Sequence, residues 1–283
     1  MIKANQLDDG AGYNAQWVET HYDEYGAREW ERLVQTPVDE VSLHVHATYL
    51  TQYVSAGAQA LEVGAGPGRF TQVLAEIEAR IVVADISPVQ LRLNRQHAQE
   101  FGFAHAVESW HRLDMCDMTD FASGRFDFVV AYGGPLSYVM NQRDRALAEC
   151  MRVLKPGGML LLSVMSMWGS ARRHLCGVLA IPAEVNRQIT DSGDLSAQTV
   201  GETGHFCHMF RARELRHWLT EAGLEVVAMS AANCLSVGKA EELLGIREDE
   251  AKRGELLRME REAGAEEGCL DMGTHLIAVA RKP

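Results

Sequence analysis

The segment Glu62-Val63-Gly64-Ala65-Gly66-Pro67-Gly68 sets three glycines at alternate positions directly after a short apolar run. Glycine there lets the backbone turn sharply and approach a ligand without a Cβ clash. A helix beginning beyond the loop offers unpaired N–H groups to an anionic group. Asp85 follows Gly64 by 21 residues, at the end of a second apolar run. That distance puts a carboxylate beside the loop, where it can accept hydrogen bonds from ribose hydroxyls. The chemistry is nucleotide binding. The dinucleotide fingerprint needs a third glycine where Arg69 stands, and the phosphate-loop ending Gly-Lys-Ser/Thr is absent.

A second group of residues could move protons. Gly204-His205-Phe206-Cys207-His208 holds two histidines, the side chain best suited to general base work near neutral pH. In a strand His205 and Cys207 face one side and His208 the other, so the two histidines do not share one role. Both are candidate catalytic residues, and so is Tyr132. His44, His46 and His275 are assigned to packing. Tyr22, Tyr132, Tyr138 and Trp168 are candidate pocket aromatics, able to exclude water and to face a cation. His205, Cys207 and His208 with Cys234 or Cys269 match no familiar zinc spacing, and no metal is expected.

Positioning these residues takes alternating strands and helices. A helix over about 38–54 leads into strands at 60–64, 80–85, 109–114, 125–132 and 159–165. Helices follow the glycine loop, start at Ser87-Pro88, and stop at Lys155-Pro156-Gly157-Gly158. Residues 169–204 read as an irregular insertion. A helix over 211–222, a strand at 224–229, a charged helix over 238–263 and a last strand at 275–281 complete the chain. This rhythm implies an α/β fold on a mostly parallel sheet with right-handed crossovers. The expected division is an N-terminal helical arm or lid, 1–57, and a nucleotide-binding domain, 58–283, with a cap insertion at about 167–210.

Composition narrows the partners. The chain has 283 residues and a formal net charge of −12, and no dense basic run. Nucleic-acid binding rests on clustered Lys and Arg, so a small molecule is the expected partner. The six cysteines are scattered without a CxxC pair, as in reduced thiols. The polar start MIKANQLDDG is not a signal or transit peptide. No apolar run suits a membrane span. A cytoplasmic enzyme, monomer or homodimer, is expected.

LEVGAGPGRFT resembles the first motif of the class I S-adenosylmethionine-dependent methyltransferases, hhExGxGxG, and VVADISPVQL resembles their second. LDMCDM, FDFVVAYGGPLSYV and RVLKPGGMLLLSV are similar to the motifs at strands three, four and five. The resemblance runs from about 58 to 166. It implies a Rossmann-like sheet of seven strands with the last antiparallel, S-adenosylmethionine as cofactor, and methyl transfer to a small molecule through oxygen, nitrogen or carbon. It also implies site roles. Gly64, Ala65 and Gly66 belong to the methionine end, Asp85 to the ribose, and Ile86, Asp114 and Met115 to the adenine, with Glu62 also among the cofactor-binding residues. Ala131, Tyr132 and Gly133 lie toward the sulfonium and the acceptor, and Tyr22 belongs to an arm that closes over the cofactor. Tyr132-Gly133-Gly134-Pro135 departs from the Asn/Asp-Pro-Pro-Tyr motif of members that methylate nucleic-acid or glutamine nitrogens. Two alternatives stay open: other S-adenosylmethionine chemistry (aminocarboxypropyl transfer or cyclisation), and a binding module without catalysis.

Overall fold

Short runs of β-branched and aliphatic residues build most of the sheet, the edge strand Val107–Arg112 being more polar. A computed structural model describes residues 12–201 and 204–283. The leading segment MIKANQLDDG and positions 202–203 of the insertion lie outside the described residues. Three helices come first: α1 (Ala15–Tyr25), α2 (Arg28–Arg32) and α3 (Pro37–Tyr53). Strands β1 (Gln59–Val63), β2 (Arg80–Asp85), β3 (Val107–Arg112), β4 (Phe126–Ala131) and β5 (Leu154–Met165) follow. Between them lie α4 (Arg69–Glu76), α5 (Pro88–Glu100), α6 (Pro135–Tyr138) and α7 (Arg143–Val153). The insertion holds α8 (Met167–Arg173), α9 (Leu175–Ala180), α10 (Ala183–Ser192) and α11 (Ala197–Val200), with the strand pair β6 (Asp194–Leu195) and β7 (Cys207–His208). Helix α12 (Ala212–Glu221), strand β8 (Glu225–Ala231), helix α13 (Glu250–Ala265) and strand β9 (His275–Arg281) end the fold.

The main sheet has seven strands in the order β3-β2-β1-β4-β5-β9-β8. Strands β1 to β5 pair in parallel, and β9 runs antiparallel to both of its neighbours. Alternate residues of each strand supply two cores. Leu61, Val63, Val82 and Ala84 pack under α7 and α12 on one face. Ala60, Ile81 and Val83 pack under α3, α4 and α5 on the other. Strand order reverses between β1 and β4, and an α/β sheet opens a crevice at that point, beyond the strands' carboxyl ends.

Local chemistry fixes the helix starts. Thr36 and Asp39 form a capping box ahead of Pro37 in α3. Ser87 caps α5 by accepting the Gln90 N–H, with Pro88 in the first turn, as its sequence predicts. Three expectations shift. The third strand begins two residues earlier, at Val107. The fifth takes in Lys155-Pro156-Gly157-Gly158, with a register irregularity between Phe126 and Phe128. The charged helix expected over 238–263 is α-helical only from Glu250. Asp249 caps it there, and Leu244–Glu248 form a 3-10 turn instead.

Candidate active site

The glycine loop leaves β1 at Gly64, whose φ of +66° is left-handed. A Cβ there would lie 2.8 Å from the Pro135 side chain at the start of α6. Strand β1 and the segment after β4 therefore meet at the loop with no room for a side chain. The Gly66 N–H donates to Asp85 Oδ2 at 2.8 Å, and the Ser87 N–H to Oδ1 at 2.8 Å. Burial lifts the Asp85 carboxyl to about 6, against these two bonds, which favour the ionised form.

Behind the loop lies a polar network. Glu62 is 2% exposed; it faces away from the cleft and accepts from Thr71 Oγ1 at 2.6 Å. Thr71 in turn accepts from Asn94 Nδ2 at 3.0 Å, and Asn94 accepts from Trp110 Nε1 at 2.9 Å. Asn94 also donates to the Gly66 carbonyl at 3.2 Å. The network ties β1, α4, α5 and β3 to the underside of the loop. Burial, helped by the nearby Asp85, pushes the Glu62 carboxyl up to about 8.

A cleft of about 840 Å³, part of it open to solvent, spreads over the ends of β1, β2 and β4. Tyr22, Gly64, Ala65, Gly66, Asp85, Ile86, Asp114, Met115 and Tyr132 all line it. This is most of the set the motifs predict. Glu62 lies behind the loop, as described. Ala131 is fully buried in β4 beneath the cleft. Tyr132 reaches the cleft, but its ring packs edge-on against His46 and Phe70, and its buried hydroxyl has no partner among the described residues. Asp114 accepts from the Cys116 N–H at 2.8 Å. Tyr13 of the arm sits beside it, its pKa raised by burial and by the Asp114 charge and hydrogen bond.

The arm closes the cleft from above. Arg69, which replaces the third glycine of a dinucleotide loop, stacks 3.7 Å from the Trp30 ring and donates to the Trp30 carbonyl at 2.8 Å. Asp23 accepts from the Ser87 hydroxyl, and Gln90 donates to the Tyr22 carbonyl at 2.9 Å. Trp17 packs on Phe206 of the insertion with ring centroids 4.6 Å apart. The arm thus touches both the nucleotide side and the cap.

A second cavity adjoins the first. Tyr22, Glu29, Arg32, Gly133 and Tyr138 line both. His21, His174, His205 and His275 line only the second. His205 Nε2 lies 3.0 Å from the Tyr138 hydroxyl, and the Tyr22 and Tyr138 rings pack edge-on with centroids 5.6 Å apart. Burial, then His21 and Arg32, lower His205 to about 4, so its ring is neutral at pH 7. At the junction Arg32 holds Glu29 in a bidentate pair at 2.6–2.9 Å. Burial opposes the Arg32 charge, but Glu29 outweighs it and raises the pKa.

Three sequence expectations are corrected here. His208 reaches neither cavity; it lies buried between Asp194 and Glu214, 2.7 Å from each, and pins the β6–β7 pair to α12. Trp168 is 46% exposed and lies under the Arg211 guanidinium, 5.5 Å from its ring centroid, outside both cavities. His275, assigned to packing, is instead a wall of the second cavity. Sequence reasoning also missed the Glu29–Arg32 pair, although its i,i+3 spacing on an arm helix was a visible signal.

Residues 60–158 match a family described as a methyltransferase domain. The chain is 27% identical over 194 residues to a ubiquinone biosynthesis O-methyltransferase of Xanthomonas axonopodis pv. citri, covering 66% of this chain and 73% of the relative. It is 28% identical over 173 residues to the Pseudomonas aeruginosa protein of that name, covering 60% and 66%. Among solved structures it resembles the cyclase SpnF, at a TM-score of 0.60 and 21% identity over 96% of this chain and 97% of that one. It also resembles a Burkholderia thailandensis 1,6-didemethyltoxoflavin-N1-methyltransferase with bound S-adenosylhomocysteine, at a TM-score of 0.59 and 15% identity over 99% and 93%. These two likenesses concern the fold.

Proposed function

We propose, on the premise that the chain is a class I S-adenosylmethionine-dependent methyltransferase, that the first cleft holds the cofactor and the second cavity a small-molecule acceptor. In this reading residues 1–57 are a lid, 58–283 the transferase domain, and about 167–210 the cap that sets specificity. The observation that carries it is the shared wall: Tyr22, Gly133 and Tyr138 border both spaces, so a group in each meets its neighbour there.

The residues fit the cofactor. Gly64, Ala65 and Gly66 would hold its methionine part. Asp85, with two of its roughly four acceptor positions taken by backbone N–H groups, would use the rest for ribose hydroxyls. Ile86, Asp114 and Met115 would hold the adenine. Glu62, Ala131 and Tyr132 support the loop and the Gly133 turn from behind. When bound, S-adenosylmethionine supplies an electrophilic methyl: an acceptor lone pair forms the new bond to carbon as the carbon–sulfur bond breaks, its electron pair going to sulfur.

The chain's part is alignment, exclusion of water and the fate of a proton. The O-methyltransferase names of the sequence relatives favour a hydroxyl acceptor. Tyr138 would touch that hydroxyl and donate its own proton to neutral His205 as it receives the acceptor's. Tyr22 would pack against the Tyr138 ring, and the arm and cap would seal the junction. A small metabolite in the cytoplasm, not a nucleic acid, suits the net charge of −12.

Calorimetric titration with S-adenosylmethionine, S-adenosylhomocysteine and NADH tests the cofactor. Micromolar binding of the first two alone is expected, whereas binding of NADH alone refutes the reading. Product mass then separates methyl transfer from aminocarboxypropyl transfer and cyclisation.

A further inference from the structure

The second cavity is balanced in formal charge, but its cations and anions are not all matched to one another. Its lining sets Arg32 and Arg173 beside two carboxylates, Glu29 and Asp39, with four histidines that burial holds toward the neutral form. Both carboxylates are engaged. Glu29 is paired with Arg32, and Asp39 accepts from the Thr36 N–H at 3.0 Å and the Thr36 hydroxyl at 2.7 Å.

Arg173 differs. It ends α8, on the wall formed by the cap, and has no hydrogen bond or ion pair among the described residues. Its sequence neighbour Arg172 turns elsewhere and donates to the Cys234 carbonyl at 2.7 Å. The Arg173 charge reaches into the cavity, where it is one of the groups disfavouring protonation of His174 and His275. A guanidinium without a partner presents a planar fork that matches a carboxylate or phosphate. Arg173 is exposed at that wall, so water reaches its guanidinium and an anion entering the cavity can take the place of that water.

We propose that the acceptor is a small anion whose carboxylate or phosphate is held by Arg173 at the cap end of the second cavity, while its nucleophile reaches Gly133 and Tyr138 at the other. This rests on the reading that the second cavity is the acceptor's. Tyr22, Tyr25 and Tyr138 in the same lining suit a flat ring between the two ends.

The test uses the full chain loaded with S-adenosylhomocysteine, titrated calorimetrically with 4-hydroxybenzoate, its methyl ester, and 4-hydroxyphenyl phosphate. Binding of at least one of the two anions, with the ester at least tenfold weaker, is expected. The stronger of the two tells which anion the site prefers. Arg173→Glu should weaken that anion at least tenfold and Arg173→Lys less, with S-adenosylhomocysteine affinity unchanged in both. Equal binding of acid and ester, no binding of either anion, or indifference to Arg173→Glu overturns the proposal. Failure of the wild type to bind S-adenosylhomocysteine would refute the cofactor assignment instead.

Discussion

Replacing Glu62 by glutamine should stabilise the unliganded protein near neutral pH, although Glu62 is the acidic residue of the first motif. The carboxyl is buried at the end of β1 and receives one side-chain hydrogen bond, from Thr71. Its pKa is about 8 in the fold against 4.5 for an ordinary glutamate. Below 4.5 the group is protonated in both the folded and the unfolded chain and contributes no difference. Above 4.5 the unfolded chain releases the proton while the folded one keeps it, so stability falls by about 1.4 kcal/mol per pH unit until about pH 8. At pH 7 the accumulated cost is about 3 kcal/mol. Glutamine keeps the shape and accepts the Thr71 hydroxyl through its amide oxygen, yet has no proton to bind. Urea unfolding of wild type and Glu62→Gln at pH 4.5, 6 and 7.5 measures the difference. It should be small at the lowest pH and widen in favour of the variant as pH rises. A variant less stable than wild type at pH 7.5, with a gap that does not depend on pH, would show that Glu62 is ionised in the fold and refute the argument.

Asp85→Ala should weaken S-adenosylmethionine binding at least tenfold, about 1.4 kcal/mol, by calorimetry; unchanged affinity in a folded variant removes that carboxylate from the site. Gly64→Ala introduces a Cβ 2.8 Å from Pro135 at a φ of +66° and should cost about 1–3 kcal/mol on thermal unfolding, with cofactor binding lost; a variant of wild-type stability and affinity would contradict the close approach of β1 to α6. His208→Gln should destabilise the protein at pH 6 and less so at pH 8.5. Burial opposes charge on His208, but Asp194 and Glu214 outweigh it and raise the pKa, so its stabilisation is full below about 6.5 and fades as pH rises through the folded value. Chemical unfolding at the two pH values checks it, and a larger loss at the higher pH would reverse the assigned sign.

The part of the site contributed by local sequence was legible. Gly64, Gly66, Asp85, Ile86, Asp114 and Met115 each sit within three residues of a strand end, and most strands were readable from β-branched runs. What a side chain meets across the fold was not. His208 looked like a base because Asp194 and Glu214, which neutralise it, come from separate elements of the cap and α12. His275 was read as packing because nothing in the last strand shows that β9 begins beside α8 and the arm. Glu62 carried a motif letter but no sign that its partner is Thr71 and, through it, Asn94 and Trp110. The helix expected over 238–263 was charged throughout, and periodicity could not register that Asp249 stops any earlier start.

Within the arm, α3 belongs to the core beside the sheet, whereas the attachments of α1 and α2 bear on the cavities. These contacts run to the loop through Trp30 and Arg69, to α5 through Asp23 and Gln90, and to the insertion through Trp17, yet none of the arm's residues is in a strand of the main sheet. A substitution confined to α1 or α2 would therefore alter the roof of both cavities before it altered the sheet. Melting alone would not report such a change; affinity would.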